Sequence, residues 1–175
     1  RGTCTISRNG DLVSGVHVSV SGSTITSGDA IITDAELEIG GQRIDKHTKE
    51  YNQVLTELTT SESKALGVKS MTGCLGSSQV TGVDMVQVPL NFWFCRNPGL
   101  ALPLIALQYH EVKIVFNFGT ANDTGATNGD TVKVWVDYVY LDTDERRRFA
   151  QVSHEYLIEQ LQYQEVASGK RNVSL

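Results

Sequence analysis

Several things that would mark common protein classes are missing from this sequence. Its three cysteines, Cys4, Cys74 and Cys95, are odd in number and far apart. No two of them stand at metal-ligand spacing, so a disulfide framework and a zinc knuckle are both excluded, and buried thiols in a reducing compartment are the simpler account. No stretch approaches the ~20 apolar residues that a membrane-spanning helix needs. The opening residues Arg1 to Ser7 lack the shape of a signal peptide. Basic charge is scarce as well. The net charge is −5, and the one basic run, Arg146 to Arg148, follows directly on Asp142, Asp144 and Glu145. Phosphate contacts come from Lys and Arg, so direct nucleic-acid binding is not expected of such a chain. There is no initiator Met, and a strand-like run, Thr3–Ser7, begins almost at once. A piece of a longer polypeptide is therefore expected.

Signposts of catalysis are missing too. The four histidines, His17, His47, His110 and His154, are scattered singly. A metal cupin would group two His and a Glu within a few residues. His110-Glu111 and His154-Glu155 have no second His four residues on, so the zinc-protease helix is absent. Asp142-Thr143-Asp144-Glu145 is a fragment of a calcium loop without its central Gly or distal Glu. It reads better as a charged turn whose acids neutralise Arg146–Arg148. No Gly-x-Ser-x-Gly elbow occurs, and the pairs Gly40-Gly41 and Gly73 to Gly76 are loop glycines rather than phosphate cradles. Trp93 and Trp135 could line a sugar groove, but Trp at a strand position is more often core or interface. No catalytic residue, cofactor or metal is expected. Two glycosylation sequons begin at Asn122 and Asn172, triplets that often arise by chance.

What the sequence does have is alternation. Its 175 residues, 40% hydrophobic and 20% charged, suit one domain with a sizeable core. Val16, Val18 and Val20 alternate with His17, Ser19 and Ser21; Ala35, Leu37 and Ile39 alternate with Asp34, Glu36 and Glu38. Val86, Val88, Leu90, Phe92 and Phe94 share one face, as do Val112, Ile114, Phe116 and Phe118, and again Val132, Val134, Val136, Tyr138 and Tyr140. Period-2 patterns of this kind are half-buried strands. Asn9-Gly10 supplies a turn after the first run, Gly40-Gly41 suits a two-residue hairpin, and Gly119 to Asp130 has loop composition.

The expected strands are Thr3–Ser7, Gly15–Ser21, Ile31–Ile39, Gln42–Lys46, Asp84–Phe94, Tyr109–Phe118, Thr131–Leu141 and His154–Gln162. In the last of these, Leu157, Ile158 and Leu161 would also suit a helix. Tyr51, Val54, Leu55 and Leu58 mark one helix face within Thr48–Thr59. A short helical segment is expected to start at Asn97-Pro98 and stop near Pro103, and a further turn to cover Asp144–Ala150. Gly67 to Gly82 reads as a Gly/Ser-rich connection. The fold class is all-β: an eight-stranded antiparallel jelly-roll sandwich with short helices in its connections, one domain over residues 1–175.

The run Phe92 to Val112, with Arg96-Asn97-Pro98-Gly99 and the leucines up to Leu107, resembles the signature segment of the major capsid proteins of nucleocytoplasmic large DNA viruses of chlorovirus and iridovirus type. So do Val134 to Tyr138, Leu141 to Ala150, Ser153 to Leu161, Glu38 to His47 and Thr5 to Leu12. Together these segments cover nearly the whole chain in the family's order.

The resemblance implies a structural coat protein of the virion, not an enzyme. It implies a double jelly-roll subunit of which this chain is the first barrel, the second following Leu175. Such subunits form homotrimeric, pseudo-hexagonal capsomers that tile an icosahedral outer shell assembled in the infected cell. The implied partners are the protein itself, minor capsid proteins, and an inner viral membrane that lies nearby without receiving the chain. The loops Ser21–Asp29 and Gly119–Asp130 look like places where relatives vary. Leu100, Leu102, Leu104, Ile105 and Leu107 are either an interface element or packing over a barrel end, and both readings stay open. Two other classes compete: a lectin-type carbohydrate-binding jelly roll, and a cupin-like metalloenzyme.

Overall fold

The computed structural model describes residues 1–25, 28–73, 83–119 and 131–163. Its framework is two antiparallel sheets whose inward faces carry the alternating apolar residues. The first contains β1 (Gly2–Thr5), β3 (Ile32–Ile39), β4 (Gln42–Thr48) and β7 (Val112–Phe118), in the order β1-β7-β3-β4. Ala35 lies opposite both His47 and Phe116, and Leu37 opposite both Asp45 and Ile114. The second sheet is built on β2 (Leu12–Ile25). β8 (Thr131–Val139) runs beside it from Leu12 to Ser21, while β5 (Val83–Pro89) and the two-residue β6 (Leu102–Pro103) also pair with it. Val18, the partner of both Val88 and Val134, is fully buried. Because side chains alternate along a strand, Val16, Val18 and Val20 of β2 meet Ala35 and Leu37 of β3 and Ile114 and Phe116 of β7 in one core.

The Gly40-Gly41 hairpin forms as expected, with φ of +60° and +83° that side-chain-bearing residues rarely adopt. Helix α2 (Lys49–Thr59) follows β4 directly, and the Thr48 hydroxyl caps it by accepting from the Tyr51 N–H. Helix α5 (Thr143–Gln151) starts at an Asp142 cap, close to the expected turn.

Several expectations need correction. The run expected as Asp84–Phe94 stops pairing at Pro89 and turns into the helical turn α4 (Trp93–Arg96). Phe92, Trp93 and Phe94 are still buried, but as an aromatic plug stacked through Phe92 and Phe94 at 5.9 Å. The strand expected from Tyr109 begins only at Val112. Residues 104–110 are successive turns, and the Arg8 guanidinium donates to the carbonyls of Leu107, Gln108 and His110. The Asn97-Pro98 segment is a single 3-10 turn, Pro98–Leu100, capped by the Asn97 side chain on the Gly99 N–H.

His154–Gln162 is neither strand nor helix: it forms no regular element and no ladder pairing. β2 continues to Ile25 through the expected Ser21–Asp29 loop, and Gly28–Ile31 is the short helix α1. A helix that was not expected, α3 (Glu62–Thr72), takes in the start of the Gly67–Gly82 connection and closes at Gly73, with φ +74°. Most of the Gly119–Asp130 loop, the rest of that connection, Cys74, and the sequons at Asn122 and Asn172 lie outside the described residues.

Candidate functional site

The barrel's polar groups are spent on holding its own parts. Asp11, at the start of β2, accepts from the Leu141 N–H at 2.7 Å and pairs with Arg146 of α5 at 2.9 Å. These donors hold its carboxyl below the usual carboxylate range, and they fasten α5 to the sheet. Of the three-arginine run, Arg146 is thus taken by Asp11, and Arg147 reaches Asp144 only at 3.9 Å on an exposed surface. Arg96 of α4 donates to the Asn91 carbonyl, the Tyr51 hydroxyl and Glu159. Lys46 lies between Asp34 and Glu36.

The four histidines lie on different elements. His17 stacks against Trp135 at 6.4 Å on the outer face of the second sheet. His47 is buried against Phe92 and Tyr51, with its Nε2 2.8 Å from Asp45 Oδ2. His154 stacks on Phe149, and His110 sits in the turns before β7. Among the described residues no three His, Cys, Asp or Glu side chains are grouped to hold a metal ion. Cys95 has its thiol pushed up to about 11 by burial, so it is a packed thiol rather than a nucleophile. The two tryptophans do not share a groove. Trp93 is buried, and Trp135 faces outward with its indole N–H donating to Ser19 Oγ at 2.8 Å.

What the described residues offer instead is surface. Of the apolar residues singled out after Asn97, Leu102 and Leu104 are 5% and 3% exposed and belong to this chain's own core, and Leu107 packs against it. Leu100 and Ile105 are half-buried. The segment lies over the barrel end, where the Ile105 N–H donates to the Asp11 carbonyl. The exposed apolar surface is elsewhere. Tyr109, 93% exposed, caps the turns before β7. Trp135, Val139 and Tyr140 lie along β8 and just beyond it. Val54, Leu58, Leu66 and Met71 stand out from the α2–α3 hairpin, beside a cleft of about 210 Å³ lined by residues of both helices.

Sequence reasoning missed Tyr109, Trp135 and Val139 because it followed single faces, and the α2 face it did single out is not packed away: Val54 and Leu58 are exposed. In β8 both faces are partly apolar: Val134, Val136 and Tyr138 point to the core, while Trp135 and Val139 point away. The usable signal was there, in the odd positions of a strand whose even positions already sufficed for a core. Exposed apolar side chains that adjoin one another are candidates for contact surfaces.

Comparison with known proteins gives the same direction. The family model described as "Major capsid protein N-terminus" matches residues 1–142. The major capsid protein of Pyramimonas orientalis virus is 50% identical over 96% of this chain and 47% of its own length. That of Paramecium bursaria Chlorella virus 1 is 44% identical over 90% of this chain and 40% of its own. Capsid protein 1 of Acanthamoeba polyphaga mimivirus is 36% identical over 98% of this chain and 36% of its own. The chain thus spans less than half the length of these relatives. Among solved structures, PBCV-1 VP54 fitted into a cryo-EM reconstruction of the virophage Sputnik superposes with a TM-score of 0.78 at 42% identity, over 91% of this chain and 43% of that one. A quasi-atomic model of the PBCV-1 virus capsid gives the same score and coverage.

Proposed function

The chain belongs to the major capsid protein family through that family's N-terminal domain, and on this premise we propose that it is the first of two jelly-roll barrels in a coat subunit of a large icosahedral DNA virus. The observation that carries this reading is the likeness in sequence and fold along the barrel to viral major capsid proteins. The relatives are structural proteins of the virion shell, not enzymes.

In this reading the full-length protein is a homotrimer whose three subunits present six similar barrels, so one polypeptide tiles a hexagonal net. Threefold closure needs heterologous contacts, in which one side of a barrel complements a different side of its neighbour. The exposed apolar residues of β8, of the α2–α3 hairpin and around Tyr109 supply several such sides. Leu100 and Ile105 contribute at most their half-exposed surface, since Leu102 and Leu104 are committed to the core. Minor capsid proteins are further partners, with an inner membrane underneath. The net charge of −5 suits an outer layer that does not touch packaged DNA.

The test is light scattering and negative-stain microscopy of the full-length protein. A mass of three subunits and hexagonal particles are expected. A stable monomer throughout the micromolar range, without such particles, refutes the reading.

A further inference from the structure

β4 ends the first sheet, so one side of its backbone has no strand partner among the described residues. An open edge of that kind invites pairing with another chain. Here the edge is met by residues 153–163, a stretch without regular structure that pairs with nothing by backbone ladder. Side chains make the closure instead. Gln160 Nε2 donates to the Ile44 carbonyl at 2.6 Å. The Leu161 N–H donates to Asp45 Oδ1 at 3.0 Å, and the same oxygen accepts the Lys46 N–H at 2.9 Å. The strap thereby satisfies the Ile44 carbonyl, and Asp45 of β4 itself satisfies the Lys46 N–H, without a strand. Glu159 is tied to Arg96 at 2.7 Å, which holds the approach to this point.

The receiving side is rigid. The side chains of Asp45 and His47 are 1% and 2% exposed, and they lie in register with buried Leu37 and Ala35 of β3. His47 meets Asp45 Oδ2 at 2.8 Å and is itself wedged between Phe92 and Tyr51. A carboxylate buried this deeply needs its partners, and one of the hydrogen bonds it accepts comes from the strap. The strap side is the opposite. Leu157 is 82% exposed, and a polar trough is lined jointly by residues 42–46 of the strand and 160–163 of the strap.

We propose that residues 153–163 are an edge guard, latched by Asp45, that keeps β4 closed to strand addition by a second copy of the chain. The strap is cheap to displace and the latch is not, so the edge is blocked while the strap stays in place. The guard is independent of the coat-protein reading.

The experiment uses the 175-residue chain with Leu161→Pro, which removes the N–H donated to Asp45 together with the leucine side chain and restricts the backbone at 160 and 161, combined with Gln160→Ala. Gln160→Ala alone, which touches one exposed side chain, serves as the milder variant. Hydrogen exchange is followed over residues 42–48 and, as an internal reference, over 112–118, and sedimentation reports association. The expected result is exchange over 42–48 faster by about tenfold or more with 112–118 unchanged, together with new dimers at ~100 µM. Gln160→Ala should shift both in the same direction by less. Unchanged exchange over 42–48, equal acceleration over 112–118, or a chain that stays monomeric with its edge exposed would each overturn the proposal.

Discussion

Replacing Leu104 by Ala separates the two roles open to the segment after Asn97. Leu104 is 3% exposed and sits in the core cluster. The change deletes three carbon groups, worth about 0.8 kcal/mol each, or about 2.4 kcal/mol of lost transfer free energy. The surrounding barrel end cannot collapse fully, because the Ile105 N–H on the Asp11 carbonyl and the Arg8 contacts to Leu107, Gln108 and His110 pin the backbone on the downstream side. A residual cavity adds about 24 cal/mol per Å³, bringing the expected cost to ~3–4 kcal/mol. Against a domain stability of about 5–15 kcal/mol this is a large fraction. With a urea slope near ~2 kcal/mol per molar, the unfolding midpoint should fall by ~1.5–2 M. Ile105→Ala, at a half-buried position, should cost less than half as much. Equilibrium urea unfolding followed by tryptophan fluorescence makes the measurement. A midpoint shift under ~0.5 M for Leu104→Ala, with assembly of the full-length protein lost, would refute the core assignment and return the segment to the interface.

Three further outcomes are expected. Asp11 and Asp45 both have carboxyls held below their ordinary value, Asp45 through His47 and two backbone N–H groups that outweigh its burial, so their contribution is complete above about pH 4 and lost as pH falls through the depressed folded values. Urea midpoints measured from pH 7 down to pH 2.5 should drop below pH 4, and Asp45→Asn should flatten that drop. Gly40→Ala places a Cβ 2.5 Å from His110 Nδ1 at a φ of +60°, so it should destabilise by about 1–3 kcal/mol in thermal unfolding, whereas a cost under ~0.5 kcal/mol would contradict the turn geometry. Trp135→Ala removes a half-exposed ring from the outer face of β8, so barrel stability should change by at most about 1 kcal/mol, while light scattering of the full-length protein should show weakened trimers if that face is a contact.

The alternating runs were legible because period-2 burial leaves its trace in composition: Val16 to Val20, Ala35 to Ile39 and Thr131 to Val139 all became strands. The glycine hairpin was legible because local backbone geometry demands those residues. What escaped depended on long-range events. Phe92 and Phe94 share a period-2 face with Val86 and Val88 but leave the ladder, because apolar alternation cannot tell a strand from an aromatic plug. α3 lacks an apolar stripe and carries Gly67 inside it, so its only marks are a Ser61 start and a Gly73 stop. Leu157, Ile158 and Leu161 suggested an element, yet that stretch is held by Asp45, Ile44 and Arg96, contacts made more than 60 residues away in sequence. The candidate surface was the least legible, since an outward Trp135 and an inward Val134 look alike until a strand has a partner.

The pairing of β2 sets a timetable for synthesis. Val18 meets Val88, but Val16 also needs Val136, 120 positions downstream by 136 − 16. β1 likewise waits for β7, with Cys4 opposite Ile114. At about 5–20 residues per second of translation, the first strands spend ~6–24 s outside the ribosome before the strands that complete their sheets exist. During that interval the valine-rich face of β2 has no permanent cover. High contact order of this kind slows folding and favours association between nascent chains. A host cell making such a protein in bulk would have to supply holding chaperones in proportion to its output.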